Sequence, residues 1–327
     1  MGLDAWHRCL LRWMALAVAF VASLAKPSSA WGAEPARVVV LYSQQKSYRE
    51  AVASIEMVLK QAGHTCVLVE LPKDTDKRAQ VQALDRLAGA KPTIVAASGA
   101  TTTSLALKTV PSVPVVFFML PNALDAPFMQ ERNRDRARVA GVSTDVSPKD
   151  QIDWIARLHP VSRRIGVLHS PSTKRTVGAI KEVAQKRGIE IQLIGADRDH
   201  FPKAIEALNQ KRCDGVIMVP DARVYSSPNV RRLLLWGIRQ KRPVWTFSAN
   251  IVKAGAFSGQ FVDGKVVGRQ TAELIKKVMA GAVAQSIGLQ YPSPVGKAVN
   301  LRTAELIGVP VEGRIPKAGV KRYGEDR

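Results

Sequence analysis

The sequence predicts an α/β protein with two similar lobes, each a doubly wound parallel sheet with helices on both faces, hinged by crossover segments. From residue 37 onward, apolar runs of strand length alternate with amphipathic segments of helix length. This alternation is typical of parallel sheets with right-handed crossovers. The same order restarts at residue 164, where RIGVLHS matches the residue types of RVVVLYS at residue 37. A chain of 327 residues is long enough for two such units.

The first lobe is predicted over residues 34–149 from apolar runs that alternate with helical spacing. Gly63 and Gly89 follow two of the helical patterns, and glycine is a common helix stop. The predicted elements are strands at 37–43, 65–71, 93–98 and 114–120, and helices at 47–63, 76–89 and 100–110.

The second lobe is predicted over residues 150–263, with the same order of elements. The predicted elements are strands at 164–170, 189–196, 213–219 and 243–247, and helices at 150–160, 176–188, 201–211 and 229–241. After it, a long helix ending near Gly281 is expected to return to the first lobe over residues 264–282. Residues 283–312 are expected to pack on the second lobe, and residues 313–327 to form a basic tail.

The N-terminus has the pattern of a secretory signal peptide over residues 1–30. Arg8 and Arg12 precede an apolar run at 13–25, and small residues follow, with cleavage expected after Ala30 or Gly32. An uncleaved membrane anchor is the alternative, but a spanning helix needs about 20 apolar residues and this run is shorter. We therefore predict a periplasmic protein.

The composition limits the classes of partner and cofactor. The net charge is +21, which in an exported protein points to an anionic membrane or wall surface or to a generally basic proteome, not to nucleic acid. No long Lys/Arg block exists, so most cations are interpreted as solvated helix faces. Outside the signal, Cys66 and Cys213 are interpreted as small buried hydrophobes rather than a disulfide. No Cys-x-x-Cys or His-rich spacing occurs, so we expect no metal and no cofactor.

Reactive constellations are scarce, which argues against an enzyme. The chain has no Gly-x-Ser-x-Gly elbow, Walker loop or dinucleotide fingerprint. His169 is the one histidine near a predicted strand exit, and no acid stands close to it in sequence. We therefore predict no catalytic residues.

The candidate site follows from topology, because ligands of open parallel sheets lie beyond the carboxyl ends of the strands. The loops at those ends are rich in small polar groups. An acid, a cation and a phenol follow the strand that ends at Val219: Asp221 is predicted to accept an ammonium or to hold Arg223, and Arg223 to clamp a carboxylate. The predicted ligand-binding residues are Ser43, Gln44, Tyr48, Ser98, Thr101, Thr102, Asn122, Ser170, Asp221, Arg223, Tyr225, Ser248 and Asn250.

Each of these residues also has a structural interpretation that the sequence leaves open. Ser98, Thr101 and Thr102 precede or begin a helix and are good N-cap residues. Asp221 and Arg223 are possible as a surface ion pair of little energetic consequence. Tyr48 is equally compatible with an ordinary aromatic residue on a helix face.

The second half of the chain resembles the ABC transporter substrate-binding proteins of the tryptophan/tyrosine-binding type. The resemblance covers residues 37–312 and is strongest in FSANIVKAGAFSG, GRQTAELIKKVMAG and NLRTAELIG. It implies a type I periplasmic-binding-protein-like fold and a monomer that captures a small polar or amino-acid-like solute for a permease in the inner membrane. Its ligand-facing loops depart from the family pattern at 43–45, 169–172 and 220–223, so an aromatic amino acid ligand does not carry over.

Three functions remain open on the sequence. The first is a solute-binding component of an ABC uptake system, and the second is a periplasmic ligand-sensing module that feeds a signalling receptor. The third is an exported enzyme on the same fold. The first and second use the same closure of two lobes around a solute, so the sequence does not separate them.

Overall fold

The computed structural model describes residues 37–72 and 75–325, which form two sheets flanked by helices. The predicted signal peptide lies outside the described residues. The strands are β1 Val38–Ser43, β2 Cys66–Leu71, β3 Ile94–Ser98, β4 Val115–Leu120, β5 Val139–Ser143, β6 Arg164–His169, β7 Glu190–Gly195, β8 Gly215–Ile217, β9 Val244–Thr246, β10 Ser258–Phe261, β11 Leu289–Gln290, β12 Gly296–Asn300 and β13 Val320–Tyr323.

Helices connect successive strands, as the alternating pattern predicts. The helices are α1 Lys46–Gln61, α2 Lys77–Gly89, α3 Gly99–Thr109, α4 Pro148–Leu158, α5 Lys174–Gln185, α6 Phe201–Gln210, α7 Ser227–Arg239, α8 Ala249–Lys253, α9 Gly264–Met279, α10 Ala284–Ile287 and α11 Leu301–Ile307. None of the helices in the described part of the chain is long and apolar enough to span a membrane.

The two sheets repeat one strand order, which confirms the predicted fold class. The first sheet runs β11-β5-β4-β3-β1-β2 and the second runs β13-β12-β10-β9-β8-β6-β7. All pairings are parallel except that of β10 with β12. In the first sheet the order reverses between β1 and β3, and in the second between β6 and β8. We call each sheet with its packed helices a lobe.

The strands form because their apolar runs are buried between helix layers. In β1, Val38–Leu41 are at most 1% exposed, as expected for a central parallel strand covered on both faces. The helix α9 packs against α1 of the first lobe, and Gly268 permits the close approach: a Cβ there would lie 2.3 Å from the carbonyl oxygen of Ala51. Apolar residues of α9 complete one core cluster of the first lobe.

The C-terminal segment contributes to both sheets, a division that the sequence patterns do not give. β11 pairs with β5 in the first sheet, and after β10 the chain returns to the second sheet only from Gly296 onward. In the segment interpreted as a basic tail, β13 pairs with β12 at the edge of the second sheet. Its two end residues are half-buried and its two middle residues are exposed, so this short edge strand carries no alternating signal. Cys66 and Cys213 are both free thiols.

Candidate functional site

In the first lobe, the carboxyl ends of β1 and β3 are tied together at the point where the strand order reverses. The backbone N–H of Ser43 donates to Oγ of Ser98 over 3.1 Å. Ser98 is the N-cap residue of α3, but its side chain does not cap that helix. Crevices at such reversal points are where doubly wound sheets bind ligands.

An open cleft of about 420 Å³ lies at this edge of the first lobe. The structure brings six of the predicted residues together there, and Gln45 and Gln80 border the same cleft. Thr101 is exposed, whereas Ser98 and Thr102 are almost fully buried. The six predicted residues that line the cleft are Ser43, Gln44, Tyr48, Ser98, Thr101 and Thr102.

Two helix N-termini border this cleft without a side-chain cap. Gln45 precedes α1 and Ser98 precedes α3, and neither side chain accepts a hydrogen bond from the helix it precedes. The first turns of the two helices therefore keep backbone N–H donors and the positive end of the helix dipole. The arrangement favours an anionic group such as a carboxylate in the cleft.

Tyr48 lies directly over the start of α3. Gly99 has φ of +65°, and a Cβ at this position would lie 2.8 Å from the Tyr48 hydroxyl oxygen. Glycine is required here by both the left-handed backbone and the phenol above it. Burial raises the pKa of the Tyr48 phenol further above neutral pH, where a tyrosine hydroxyl is a hydrogen-bond donor.

The second lobe has an equivalent hydrogen-bonded link where its strand order reverses, between β6 and β8. The backbone N–H of Ser170, which follows β6, donates to Oδ2 of Asp221 over 2.9 Å. The Thr173 hydroxyl donates to the same oxygen over 3.0 Å, and the Arg223 backbone N–H donates to Oδ1 over 3.0 Å. Asp221 is 5% exposed and joins the loops after β6 and β8. Its carboxylate is engaged by the chain itself, and no ion pair with Arg223 forms.

Arg223 and Tyr225 diverge from Asp221. The exposed Arg223 borders a cleft of about 780 Å³ beside the ends of β6 and β7, together with His169 and Lys174. The Tyr225 hydroxyl donates to the carbonyl oxygen of Leu168 over 3.2 Å. Burial raises the pKa of the Tyr225 phenol, because its half-buried ring packs against the core of the second lobe. Arg223 is thus the accessible member of the acid, cation and phenol set.

Ser248 and Asn250 stand at the exit of β9. Ser248 precedes the short helix α8 and is half-buried, and its side chain does not cap the helix. Asn250 is exposed in the first turn of α8. Neither residue borders the cleft of the first lobe or the cleft beside Arg223.

Asn122 connects the two lobes. Its side-chain Nδ2 donates to the carbonyl oxygen of Pro220 over 2.5 Å, and its backbone N–H donates to Oδ1 of Asp145 over 3.0 Å. Its backbone is left-handed, with φ of 51°, a conformation that asparagine tolerates well. Burial raises the pKa of the Asp145 carboxyl to about 6, although N–H groups of Asn122 and Ala123 donate to it.

A second link between the lobes uses Asp125, which the sequence does not single out. Its carboxylate accepts the backbone N–H of Arg175 over 2.8 Å and the backbone N–H and hydroxyl of Thr176 over 2.9 and 2.8 Å. An acid of the first lobe therefore caps α5 of the second lobe. No local pattern predicts this contact, because the two segments are 50 residues or more apart in the chain.

A small cavity of about 40 Å³ lies between the ends of β8–β10 and the segment that leads into α4. Trp245 and Thr246 line it and are 3% and 6% exposed. In the described part of the chain, Nε1 of Trp245 and Oγ1 of Thr246 have no hydrogen-bond partner. The sequence does not single out these donors, because PVWTF predicts only a buried strand. Unpaired buried donors are costly, so the cavity suits a water molecule or a polar group of a ligand.

The candidate site offers hydrogen-bond donors and acceptors. The described residues contain no group of three or more His, Cys, Asp or Glu side chains that suits a metal ion. The polar groups that gather at the lobe edges are hydroxyls, amides, backbone N–H groups and cations, which recognise solutes through hydrogen bonds.

Comparison with known proteins agrees with this geometry. The family described as ABC transporter substrate binding protein matches residues 38–322 of the chain. No curated protein sequence matches it. Similar solved structures show the same fold: the ABC domain in complex with L-Trp from Streptococcus pneumonia has a TM-score of 0.60 at 18% identity, covering 87% of this chain and 100% of that one.

Two further structures support the type I periplasmic-binding-protein-like fold. The ligand-free, open structure of CD0873, a substrate binding protein with adhesive properties from Clostridium difficile, has a TM-score of 0.68 at 16% identity and covers 88% of this chain and 98% of that one. A periplasmic ribose ABC transporter structure from Conexibacter woesei has a TM-score of 0.54 at 14% identity, with coverage of 85% and 97%. The predicted fold class is confirmed.

Proposed function

The chain belongs to the family of ABC transporter substrate-binding proteins, and we propose that it is the periplasmic solute-binding component of an ABC-type uptake system. The family is one of binding proteins and not of enzymes. The protein is exported through its N-terminal signal, acts as a monomer and delivers its solute to a permease in the inner membrane. Residues 34–149 and 150–263 act as the two lobes, with the helix over 264–282 serving the first.

One observation supports this proposal most strongly: the polar cleft at the reversal point of the first lobe. Ser43, Ser98 and Thr101 meet there beside the uncapped N-termini of α1 and α3. We expect these backbone N–H groups to hold the carboxylate or another anionic group of a small polar or amino-acid-like solute. The second lobe contributes Arg223 and the unpaired donors of Trp245 and Thr246 when the lobes close.

Native mass spectrometry of the protein purified from its own host tests the proposal first. We expect a non-covalently bound small molecule at one copy per chain that is lost on unfolding. Thermal melts with amino acids, small carboxylates and neutral sugars then rank solute classes, because a solute at 100 times its Kd stabilises the fold by about 2.7 kcal/mol. Absence of any bound solute and of any stabilising one would contradict a binding function.

A charge placed in the cleft separates an anionic solute from a neutral one. Ala100 is exposed in the first turn of α3, so Ala100→Asp puts a carboxylate where the anion is expected. This change favours the helix by about 0.3–1 kcal/mol, yet it repels an anionic solute and should weaken its binding at least about tenfold. Ala100→Asn is the matched neutral control. Equal affinities of the two variants would show that the solute has no anionic group at this position.

A further inference from the structure

The second lobe carries a repeated basic pattern at the edge opposite its carboxyl end. Two consecutive cations lie at, or up to four residues before, the first residue of each of four strands, β6, β7, β8 and β9. These four strands are neighbours in the sheet, in the order β9-β8-β6-β7. The pairs are Arg163–Arg164, Lys186–Arg187, Lys211–Arg212 and Lys241–Arg242. We call these eight residues the basic edge.

Hydrogen bonds join the amino ends of β6, β7 and β8, which carry three of the four pairs. The backbone N–H of Glu190 donates to the carbonyl oxygen of Arg163 over 2.7 Å, and that of Asp214 donates to the carbonyl oxygen of Arg164 over 2.6 Å. The Arg164 guanidinium reaches the carbonyl oxygen of Lys211 over 3.5 Å. Because neighbouring strands lie about 4.8 Å apart, the basic edge is about 14 Å wide.

The acids nearby neutralise less than half of this charge. Three ion pairs form, between Arg164 and Glu190, Arg187 and Asp153, and Arg242 and Asp214. The other five cations make no ion pair with any residue that the structure describes, and all are exposed. They are Arg163, Lys186, Lys211, Arg212 and Lys241.

Helix dipoles alone do not explain the pattern. Cations are favoured near helix C-termini, and the first lobe has helices that end in the same way before its strands. The four residues before each of β1, β2, β3 and β4 nevertheless include only two such cations, Arg37 and Lys91. Arg212 and Lys241 also have left-handed backbones, with φ of 50° and 52°, where glycine is the more favourable residue.

An exposed apolar side chain accompanies the basic edge. Val161 precedes the first pair by two residues and is 68% exposed. Cationic side chains near a small exposed apolar side chain suit the boundary between lipid headgroups and acyl chains.

We propose that the basic edge docks the protein on an anionic phospholipid surface. Lys and Arg side chains each favour such a surface, and arginine matches phosphate geometry. The basic edge is at the amino ends of the strands, whereas the candidate site is at their carboxyl ends, so docking leaves the site accessible. This inference goes beyond solute binding and does not depend on which solute is bound.

Vesicle flotation tests the docking surface. We would use the chain without residues 1–30, which retains the compact unit Arg37–Arg327, with vesicles of equal parts phosphatidylglycerol and phosphatidylcholine at about 0.1 M salt. We expect the wild type to bind these vesicles and not to bind vesicles of pure phosphatidylcholine. The edge variant combines four substitutions and should bind roughly 100-fold more weakly. They are Lys186→Gln, Lys211→Gln, Arg212→Gln and Lys241→Gln.

A matched control removes the same charge from exposed lysines of the first lobe. It should lose less than about tenfold, because it leaves the basic edge intact. Equal losses in the two variants would overturn the assignment to this edge, and so would binding to pure phosphatidylcholine. Binding of a DNA duplex through the edge, without vesicle binding, would overturn the membrane as the partner. The control substitutions are Lys60→Gln, Lys108→Gln, Lys265→Gln and Lys277→Gln.

Discussion

Asp125 and Thr176 are joined by two hydrogen bonds to a single carboxylate oxygen: Oδ2 of Asp125 accepts the backbone N–H of Thr176 over 2.9 Å and its hydroxyl over 2.8 Å. The two residues belong to different lobes. Together with the contact between Asn122 and Pro220, this pair ties the loop after β4 to the second lobe. The relative position of the lobes is therefore held by specific hydrogen bonds as well as by the connecting segments.

Removing this carboxylate should weaken the fold more than removing an ordinary helix cap. Asp125→Ala breaks three hydrogen bonds to a charged group, and we expect the free energy of unfolding in urea to fall by roughly 2–3 kcal/mol. Asp76→Ala, which removes one cap within the first lobe, should cost about 1 kcal/mol. A double-mutant cycle with Thr176→Val should give a coupling of at least about 0.5 kcal/mol. Equal costs for the two aspartates would contradict the link.

Asp221 and Arg223 should separate stability from binding. Asp221→Ala leaves the backbone N–H groups of Ser170 and Arg223 without their acceptor and removes one of two acceptors of the Thr173 hydroxyl, so we expect the unfolding free energy to fall by about 2–4 kcal/mol. Arg223→Ala changes an exposed side chain and should stay within about 0.5 kcal/mol of the wild type.

Arg223→Ala should instead weaken solute binding by about 10- to 150-fold in calorimetric titration, the value of one charge-assisted hydrogen bond. Unchanged affinity would show that Arg223 does not contact the solute. A lower melting temperature of the variant would show that Arg223 has a structural role.

The buried Asp145 carboxyl should make stability depend on pH. Its pKa in the folded chain is about 6, above the ordinary value of 3.8, because burial disfavours the charged form. The folded chain then holds this proton more tightly than the unfolded chain. Its contribution is fully present below about pH 4 and is lost as the pH rises to about 6, by roughly 3 kcal/mol.

Asp145→Asn removes this titration. Subtracting the unfolding free energy of the variant from that of the wild type, between pH 4 and pH 7, isolates the contribution of this carboxyl. We expect the difference to decline across the window from pH 4 to pH 6. A difference that is constant, or that grows with pH, would be inconsistent with a buried carboxyl of raised pKa.

Gly99 should tolerate no side chain while Tyr48 remains above it. Gly99→Ala imposes a left-handed backbone on alanine and a contact with the phenol, and we expect a loss of about 1–3 kcal/mol. In a Tyr48→Phe background the loss should be smaller, because the nearest clashing atom is the hydroxyl oxygen. Gly178→Ala, in the open interior of α5, should be stabilising by about 0.5–1 kcal/mol. Similar effects at both glycines would refute the contact.

The fold follows from local patterns in the sequence, and so does the gathering of polar strand exits at one edge of the first sheet. Buried strands such as Val38–Ser43 are continuous apolar runs, and their polar exits place Ser43 and Ser98 at one edge of one sheet. Contacts between distant segments carry no such signal, so the link from Asp125 to Thr176 was not foreseen. Asp221 is predicted to accept a ligand ammonium or to hold Arg223, because an acid at a strand exit looks the same in sequence whether it meets a solute, a cation or neighbouring N–H groups.

Small-angle scattering with and without the captured solute tests whether the two lobes close on a small molecule. We expect a smaller radius of gyration at saturating solute, because the lobes rotate about the connecting segments to enclose it. Binding should be verified in the same sample by calorimetry. An unchanged radius at proven saturation would contradict capture between the lobes.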